Sequence, residues 1–218
     1  YVRTEFRCEA CEGNKKPSWR RKATVPRTFH FNRLVAADLL FLNVLGTQVP
    51  VPNVLDHGTS FQQCYVLPSR HGTSSINVWT AFENTWIRVF GPPEVLMTDG
   101  GPEFQGAFER GCEHLGVFQH VCDATSPWQN GRCERHGGWI KDSIARASAI
   151  VSPSTPEEVD RLLCETVSAK NRFFHRSGFS PYQLVFGENP RLPRALLSDE
   201  PMDAVGLEDV QADVDGRD

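Results

Sequence analysis

Three carboxylates fall where a fold can bring them together. Asp38 interrupts an otherwise apolar strand candidate, with Leu34-Val35-Ala36-Ala37 before it and Leu39-Leu40-Phe41 after it. An ionised side chain there is costly to bury unpaired. Asp99 ends the short apolar segment Glu94–Thr98 and is followed at once by Gly100-Gly101-Pro102, which places it at a strand-to-loop edge. Glu134 begins a helix after a loop of Pro, Trp, Gln, Asn and Gly. Two strand ends and a helix start can converge on one corner of a sheet. Three carboxylates in one corner cannot all stay ionised without cations. Mg²⁺ or Mn²⁺, hard and oxygen-seeking, answer that need. Two such ions about 3.5–4 Å apart can clamp the attacking and leaving oxygens of an in-line phosphoryl displacement. Each acid alone has an ordinary alternative: a solvated strand end for Asp99, a helix-dipole partner for Glu134.

The elements that must position these acids are legible from periodicity. Strand candidates run over Arg33–Phe41, Val49–Leu55 and Phe61–Leu67 in quick succession, with Gly, Pro and Ser between them, which predicts an antiparallel meander. Pro50 and Pro52 restrict the second strand to an edge or a strand end. The period then changes. Ile76, Trp79, Phe82, Trp86, Val89 and Phe90 recur at helical steps and predict a helix over Thr73–Phe90, stopped by Gly91-Pro92-Pro93. A strand over Glu94–Thr98, a helix over Phe104–Leu115 and a strand over Val117–Val121 follow. After the polar loop Cys122–Gly131 come helices over Arg132–Ile150 and Thr155–Phe174, the second with Leu162, Leu163, Val167 and Phe174 on its apolar side. Beyond Ser177 the chain reads as Gly and Pro turns. The whole predicts an α/β fold: a mixed five-stranded sheet, three antiparallel strands then parallel additions, flanked by helices.

The stretch Thr98-Asp99-Gly100-Gly101-Pro102-Glu103-Phe104, followed by Pro127-Trp128-Gln129-Asn130-Gly131-Arg132-Cys133-Glu134-Arg135, resembles the catalytic core of retroviral and retrotransposon integrases. That family reads Asp-x-Gly-x-x-Phe, then a Pro-Gln-x-x-Gly-x-x-Glu-like loop and helix, with an earlier Asp on the first strand. The resemblance runs from about Phe29 to Arg194 and takes in Asp56 of a Val-Leu-Asp-His segment and the closing Ser180-Pro181-Tyr182-Gln183-Leu184-Val185-Phe186-Gly187. The look is closest to long-terminal-repeat element polyproteins. There are departures. The separation of Asp99 from Glu134 is one residue shorter than usual, a difference the helix after Phe104 can absorb. Gly100 stands where Asn is commoner, and Trp128 where Gln is usual. None removes a carboxylate.

The resemblance implies a ribonuclease-H-like fold with Asp38, Asp99 and Glu134 as the catalytic, metal-holding acids. It implies two Mg²⁺ or Mn²⁺ ions, water-dependent trimming of a DNA end, and attack of the resulting 3′-hydroxyl on target DNA. It also implies homo-oligomers, because joining two ends needs at least two protomers, and action inside the cell in the nucleus. Two rival readings use the same residues: a catalytically inactive DNA-binding or assembly remnant of a degenerate element, and a ribonuclease-H-type nuclease. The Pro127–Glu134 loop and helix speak against the second.

On a helix starting near Arg132, positions 134, 138 and 141 share a face. Gly138 permits close approach, and Lys141 is either a phosphate contact, where family members place a DNA-contacting lysine, or a solvated helix lysine. Arg132, Arg135 and His136 flank the same turn, while Gln129 and Asn130 sit in a Gly-bordered loop suited to a DNA end. Cys133 reads as packing. Arg20, Arg21 and Lys22 are a solvated run or a phosphate-tracking strand. Cys8 and Cys11 form a C-x-x-C pair, and a zinc site needs four ligands. Residues 1–16 resemble the last helix and cysteine pair of the zinc domain that precedes integrase cores. The pair is therefore expected to be an incomplete half-site, binding Zn²⁺ only if upstream histidines exist in the full-length protein.

Composition excludes some classes and misleads about others. At 39% apolar residues over 218, the chain can build a core, and no apolar run approaches the ~18 residues of a membrane helix. Seven cysteines, an odd number at irregular spacings, predict reduced thiols rather than a disulfide scaffold. The net charge of −4 hides an asymmetry. Residues 1–33 carry nine Lys/Arg against three Glu, whereas 198–218 carry eight acids against Arg217 alone. The domains expected are a zinc-domain remnant (1–16), a basic linker (17–28), the catalytic core with trailing helices (29–197) and an acidic, disordered tail (198–218). Without an initiator Met, the chain is expected to be a segment of something longer.

Overall fold

The computed structural model describes residues 30–67, 72–122, 130–175 and 178–191. Cys8, Cys11, Arg20, Arg21, Lys22 and Gln129 lie outside the described residues, as do the 1–16 head, the 17–28 linker and the 198–218 tail. By compactness the chain divides into Tyr1–Gly187 and Glu188–Asp218. All the elements below belong to the first unit.

The sheet has five strands, β1 (Leu34–Val44), β2 (Thr47–Asp56), β3 (Gln62–Cys64), β4 (Val95–Thr98) and β5 (Phe118–Val121), in the order β3-β2-β1-β4-β5. β1 pairs antiparallel with β2 and parallel with β4, while β3 is antiparallel to β2 and β5 parallel to β4. The mixed five-stranded sheet predicted from the sequence is therefore the one observed. In β1, Val35, Ala36 and Ala37 are buried on both faces, as a central strand between two helical layers requires. Further along, Leu40, Leu42 and Val44 stay buried while Phe41 and Asn43 are exposed. There the period of two returns, because only one face remains covered.

β2 is not an edge strand, which corrects the sequence-based expectation. Its prolines are tolerated because both act on the outer side. The Pro50 carbonyl accepts from Leu67 N at 3.0 Å and the Pro52 carbonyl from Tyr65 N at 3.3 Å. β3 ladders with β2 only at Asn53, Val54 and Leu55. The absent proline donors thus face a stretch where the neighbouring strand has already ended.

Between β3 and β4, helix α1 (Ser75–Phe82) runs on through a π-helical stretch, Glu83–Ile87, and a last turn, Arg88–Phe90. The extra residue in the π-turn shifts the helical phase. Trp86 is fully buried and packs on Phe90 at 5.0 Å, whereas Ile76 and Val89, expected inside, are exposed. After a 3₁₀ turn at Pro102–Phe104, the chain breaks at Gly106, φ +60°, and α2 spans Ala107–His114. α3 (Gly131–Val151), α4 (Pro156–Phe173) and α5 (Pro181–Phe186) complete the fold.

The helices form two layers. Phe82, Trp86, Phe104 and Phe108 pack with Val35, Ala37 and Val54 on one face of the sheet. On the other, Ile140 and Ile144 of α3 and Leu163 and Val167 of α4 pack with Leu40, Leu42 and Val51. α5 was read as turns, yet Ser180 and Gln183 form a complete capping box with Pro181 at the first helical position. That signature was present in the sequence.

Candidate active site

Strand parity decides which side chains meet. Ala36 belongs to the face that packs Leu55, Met97, Cys122 and Cys133, and Leu40 to the same face packed by Ile140 and Ile144. Asp38, two residues from each, leaves the sheet on that face between them. Met97 pairs with Ala36 across the parallel β1–β4 ladder. Asp99, two residues beyond Met97, follows the end of β4 on the same side. α3 lies across this face and carries Glu134 in its first turn.

The acids share one electrostatic field. Burial raises the Asp38 carboxyl above the usual carboxylate range, and the charges of Asp99 and Glu134 raise it further. A hydrogen bond from Leu39 N and the ammonium of Lys141 pull the other way. The Cys122 thiol reports the same neighbourhood, pushed up by burial and then by Asp99 and Glu134. Asp99 is exposed, and its Oδ1 accepts from Gly101 N at 3.1 Å. The turn behind it is braced by Gln105 Nε2 on the Gly100 carbonyl at 2.9 Å. Gln119 Nε2 reaches both Thr98 Oγ1 and the Phe104 carbonyl. Glu134 and Lys141 are exposed on α3.

Among the described residues, no three His, Cys, Asp or Glu side chains stand close enough together to hold one metal ion. The donor chemistry nonetheless fits a hard divalent cation. Three oxygen-donor carboxylates share a face, and one of them, Asp38, is destabilised as an anion first by burial and then by the other two.

The remaining predicted residues divide. Arg135 is exposed on the first turns of α3. Asn130 is buried, and its carbonyl accepts from Glu134 N at 3.1 Å. His136 is buried with its ring against Phe174. Arg132 turns inward: its guanidinium donates to the His57 carbonyl and to Ser60 Oγ, the latter at 2.6 Å. Cys133 is fully buried against the Asn53 amide, which agrees with its reading as packing. The two glycines of α3 differ in their surroundings: Gly137 lies against the sheet and Gly138 on the open face. A Cβ at Gly137 would meet Leu40 Cδ2 at 2.7 Å, whereas one at Gly138 would meet open space.

Sequence reasoning missed a polar network beneath α3 and α4. Asp56 ties its own turn together, accepting from Asn32 N, Thr59 N and Thr59 Oγ1. Burial holds its carboxyl above the usual range despite these bonds. The Asn171 side chain makes two bonds to the Gln62 backbone, at 3.0 and 2.8 Å. Lys170, almost wholly buried, donates to the Ser60 carbonyl at 2.9 Å. One signal was available: Lys170 lies on the helical stripe of Leu163 and Val167, where a charge is out of place.

No family model matches the chain. It is 27% identical over 156 residues, 67% of its length, to a Pol polyprotein of feline endogenous virus ECE1, of which it spans 14%. Among solved structures, the human T-cell lymphotropic virus HTLV-2 integrase catalytic core domain in complex with magnesium (dimeric form) matches with a TM-score of 0.59 at 17% identity. That match covers 71% of this chain and 96% of that one. The fold is that of a retroviral integrase catalytic core. The simian T-cell lymphotropic virus intasome, in complex with the PP2A regulatory subunit B56 gamma, shares it over 85% of this chain and 65% of that chain, with a TM-score of 0.67 at 18% identity. The integrase-core fold is ribonuclease-H-like, and its mixed sheet is the frame on which Asp38, Asp99 and Glu134 stand.

Proposed function

We propose that this chain contains the catalytic core of a DNA integrase, a polynucleotidyl transferase that trims DNA ends and joins them to target DNA. The observation that carries the reading is the placement of Asp38, Asp99 and Glu134 on one face of the sheet, beneath a helix that also presents Lys141. Asp38, Asp99 and Glu134 are the residues that would hold Mg²⁺ or Mn²⁺. Bound there, one or two such ions supply Lewis-acid stabilisation of the attacking and leaving oxygens. A cation held there would favour the Asp38 carboxylate over its protonated form. Lys141 offers an exposed ammonium to a phosphate on the same side of α3, and Arg135 a guanidinium nearby.

Among the described residues, Cys64, Cys112 and Cys133 are poor nucleophiles, which suits a reaction without a covalent enzyme intermediate. Burial pushes Cys64 and Cys112 up to about 12 and Cys133 well above its ordinary value. The magnesium in the HTLV-2 core supports the choice of cation, and that core's dimeric form and the simian virus intasome support DNA and further copies of the chain as partners. Action in the nucleus follows from DNA as substrate. Cys8 and Cys11 would complete a zinc site only with histidines from outside this sequence.

The test is joining of labelled DNA ends in Mg²⁺ or Mn²⁺. Asp99→Asn and Glu134→Gln are expected to abolish joining while circular dichroism shows an intact fold. Full activity in either overturns the assignment. DNA binding without joining by the unaltered chain returns the reading of an inactive remnant, and cleavage of RNA in hybrids that of a nuclease.

A further inference from the structure

The turn between β2 and β3 receives cations from two helices. Arg132, in the first turn of α3, donates to the His57 carbonyl and Ser60 Oγ. Lys170, near the end of α4, donates to the Ser60 carbonyl at 2.9 Å. Those two residues therefore hold the turn through its backbone and one hydroxyl. The turn is itself fixed to the sheet. His57 N bonds the Leu34 carbonyl at 2.9 Å, Ser60 N the Asp56 carbonyl at 3.0 Å, and the Asp56 carboxylate gathers Thr59 and Asn32. Ser60 sits at φ +65°, a conformation that a non-glycine residue keeps only when its surroundings hold it.

On a helix, residues two apart point about 200° away from each other. Arg132 thus faces the turn while Glu134 faces away from it, and Arg132 does not reach the acids' side of α3. We propose that the Arg132–Ser60–Lys170 junction is a strut that fixes the first turn of α3 on the sheet and so sets the position of Glu134 relative to Asp38 and Asp99. The inference rests on the reading of Glu134 as a metal ligand. Arg132 is then a positioning residue and not a DNA contact. Charge-assisted hydrogen bonds suit the task, because the Arg132 guanidinium, always charged, is held against acceptors that are partly withdrawn from water.

The experiment compares the full chain with Arg132→Ala, Arg132→Lys and Ser60→Ala by amide hydrogen exchange and by Mn²⁺ titration calorimetry. In Arg132→Ala, exchange at Glu134–His136 is expected to rise about tenfold or more while β1 and the middle of α3 stay protected. Mn²⁺ affinity should fall about tenfold. Arg132→Lys should recover part of both, and Ser60→Ala should show a smaller change of the same kind. If Arg132→Ala fails to fold, the two milder variants carry the comparison. Exchange that rises equally across the sheet and both helices overturns the strut, as does Mn²⁺ affinity that stays unchanged while the first turn loosens. Absence of Mn²⁺ binding by the unaltered chain overturns the metal-site reading instead, and the exchange pattern then judges the strut alone.

Discussion

Asp38 on β1 stands directly across the antiparallel ladder from Asn53 on β2. Cross-strand partners share a face, so both side chains lie on the α3 side of the sheet. They do different work there. Asn53 is fully buried, and its amide engages Cys133, Gln62 and Cys64, fastening α3 to the sheet. Asp38 is half-buried, and its Oδ1 accepts from its neighbour's backbone, Leu39 N, at 2.9 Å. The pair sets a satisfied amide beside an acid strained by its surroundings.

That strain has a measurable sign. The folded-state pKa of Asp38 is raised, first by burial and then by Asp99 and Glu134. The folded state therefore disfavours the anion, and stability is lost as pH rises from the unfolded value through the folded one. Asp38→Asn is expected to raise the thermal midpoint at pH 7 in chelator and to leave it unchanged at pH 3. Added Mg²⁺ should raise the midpoint of the unaltered chain by mass action and leave that of the variant in place. Scanning calorimetry at the two pH values, with and without Mg²⁺, checks both expectations.

Lys141 gives a second test because it is exposed and counters the charge on Asp38. A lysine that pairs with one phosphate contributes about 0.9 to the slope of log affinity against log salt on duplex DNA. Lys141→Ala is expected to lower DNA affinity and flatten that slope by about this amount. A solvated helix lysine would leave the slope unchanged. Fluorescence anisotropy across a salt series separates the two.

The acids were legible because each announces its element: an acid inside an apolar strand, one before Gly-Gly-Pro, one opening a helix. Their order along the chain and the sheet's strand types followed from the same patterns. What sequence could not show was phase and depth. The π-turn at Glu83–Ile87 leaves no compositional mark, so the periodicity places Val89 inside, while Ile76 is exposed because it lies in the first turn, about 120° from Phe82. Pro50 and Pro52 argued for an edge, and only the early end of β3 explains how an interior strand accepts them. Arg132 looked like its exposed neighbour Arg135, since nothing local says that the turn at His57–Ser60 lies beneath it. Such contacts join residues more than seventy positions apart.

The two adjacent glycines of α3 should respond oppositely to alanine. At Gly138 a Cβ meets nothing within 4 Å, so Gly138→Ala gains only helix propensity, about 0.8–1 kcal/mol. At Gly137 the same gain is opposed by a 2.7 Å approach to Leu40 Cδ2 and a 3.4 Å approach to the Asn53 amide. Leu40 is buried in the core and cannot swing aside, so overpacking of about 1–3 kcal/mol is expected. Gly137→Ala should be net destabilising by up to about 2 kcal/mol. Urea unfolding of the two variants gives the comparison.

His57, in the buried turn after β2, and Lys170, which donates to that turn from α4, make stability rise with pH over two separate windows. Burial lowers His57 to about 4, with Arg132 adding to the effect. Its unfolded value is near 6.5, so the unfolded chain binds more protons between these limits, and stability falls as pH drops from 6.5 towards 4. Burial likewise lowers Lys170 to about 7 against an ordinary 10.5; Cys64 and Cys133 oppose that shift, and Arg132 adds to it. Here the unfolded chain binds more protons between about 7 and 10.5, and stability rises across that range. His57→Gln is expected to flatten the acid window, which amounts to about 3 kcal/mol at 1.36 kcal/mol per pKa unit, and to leave the alkaline one alone. Lys170→Met should do the reverse, with a constant offset from the Ser60 carbonyl left without its donor. Urea midpoints at pH 4.5, 6.5 and 9.5 resolve the two windows. A single variant that flattened both would mean that the two groups titrate as one coupled unit.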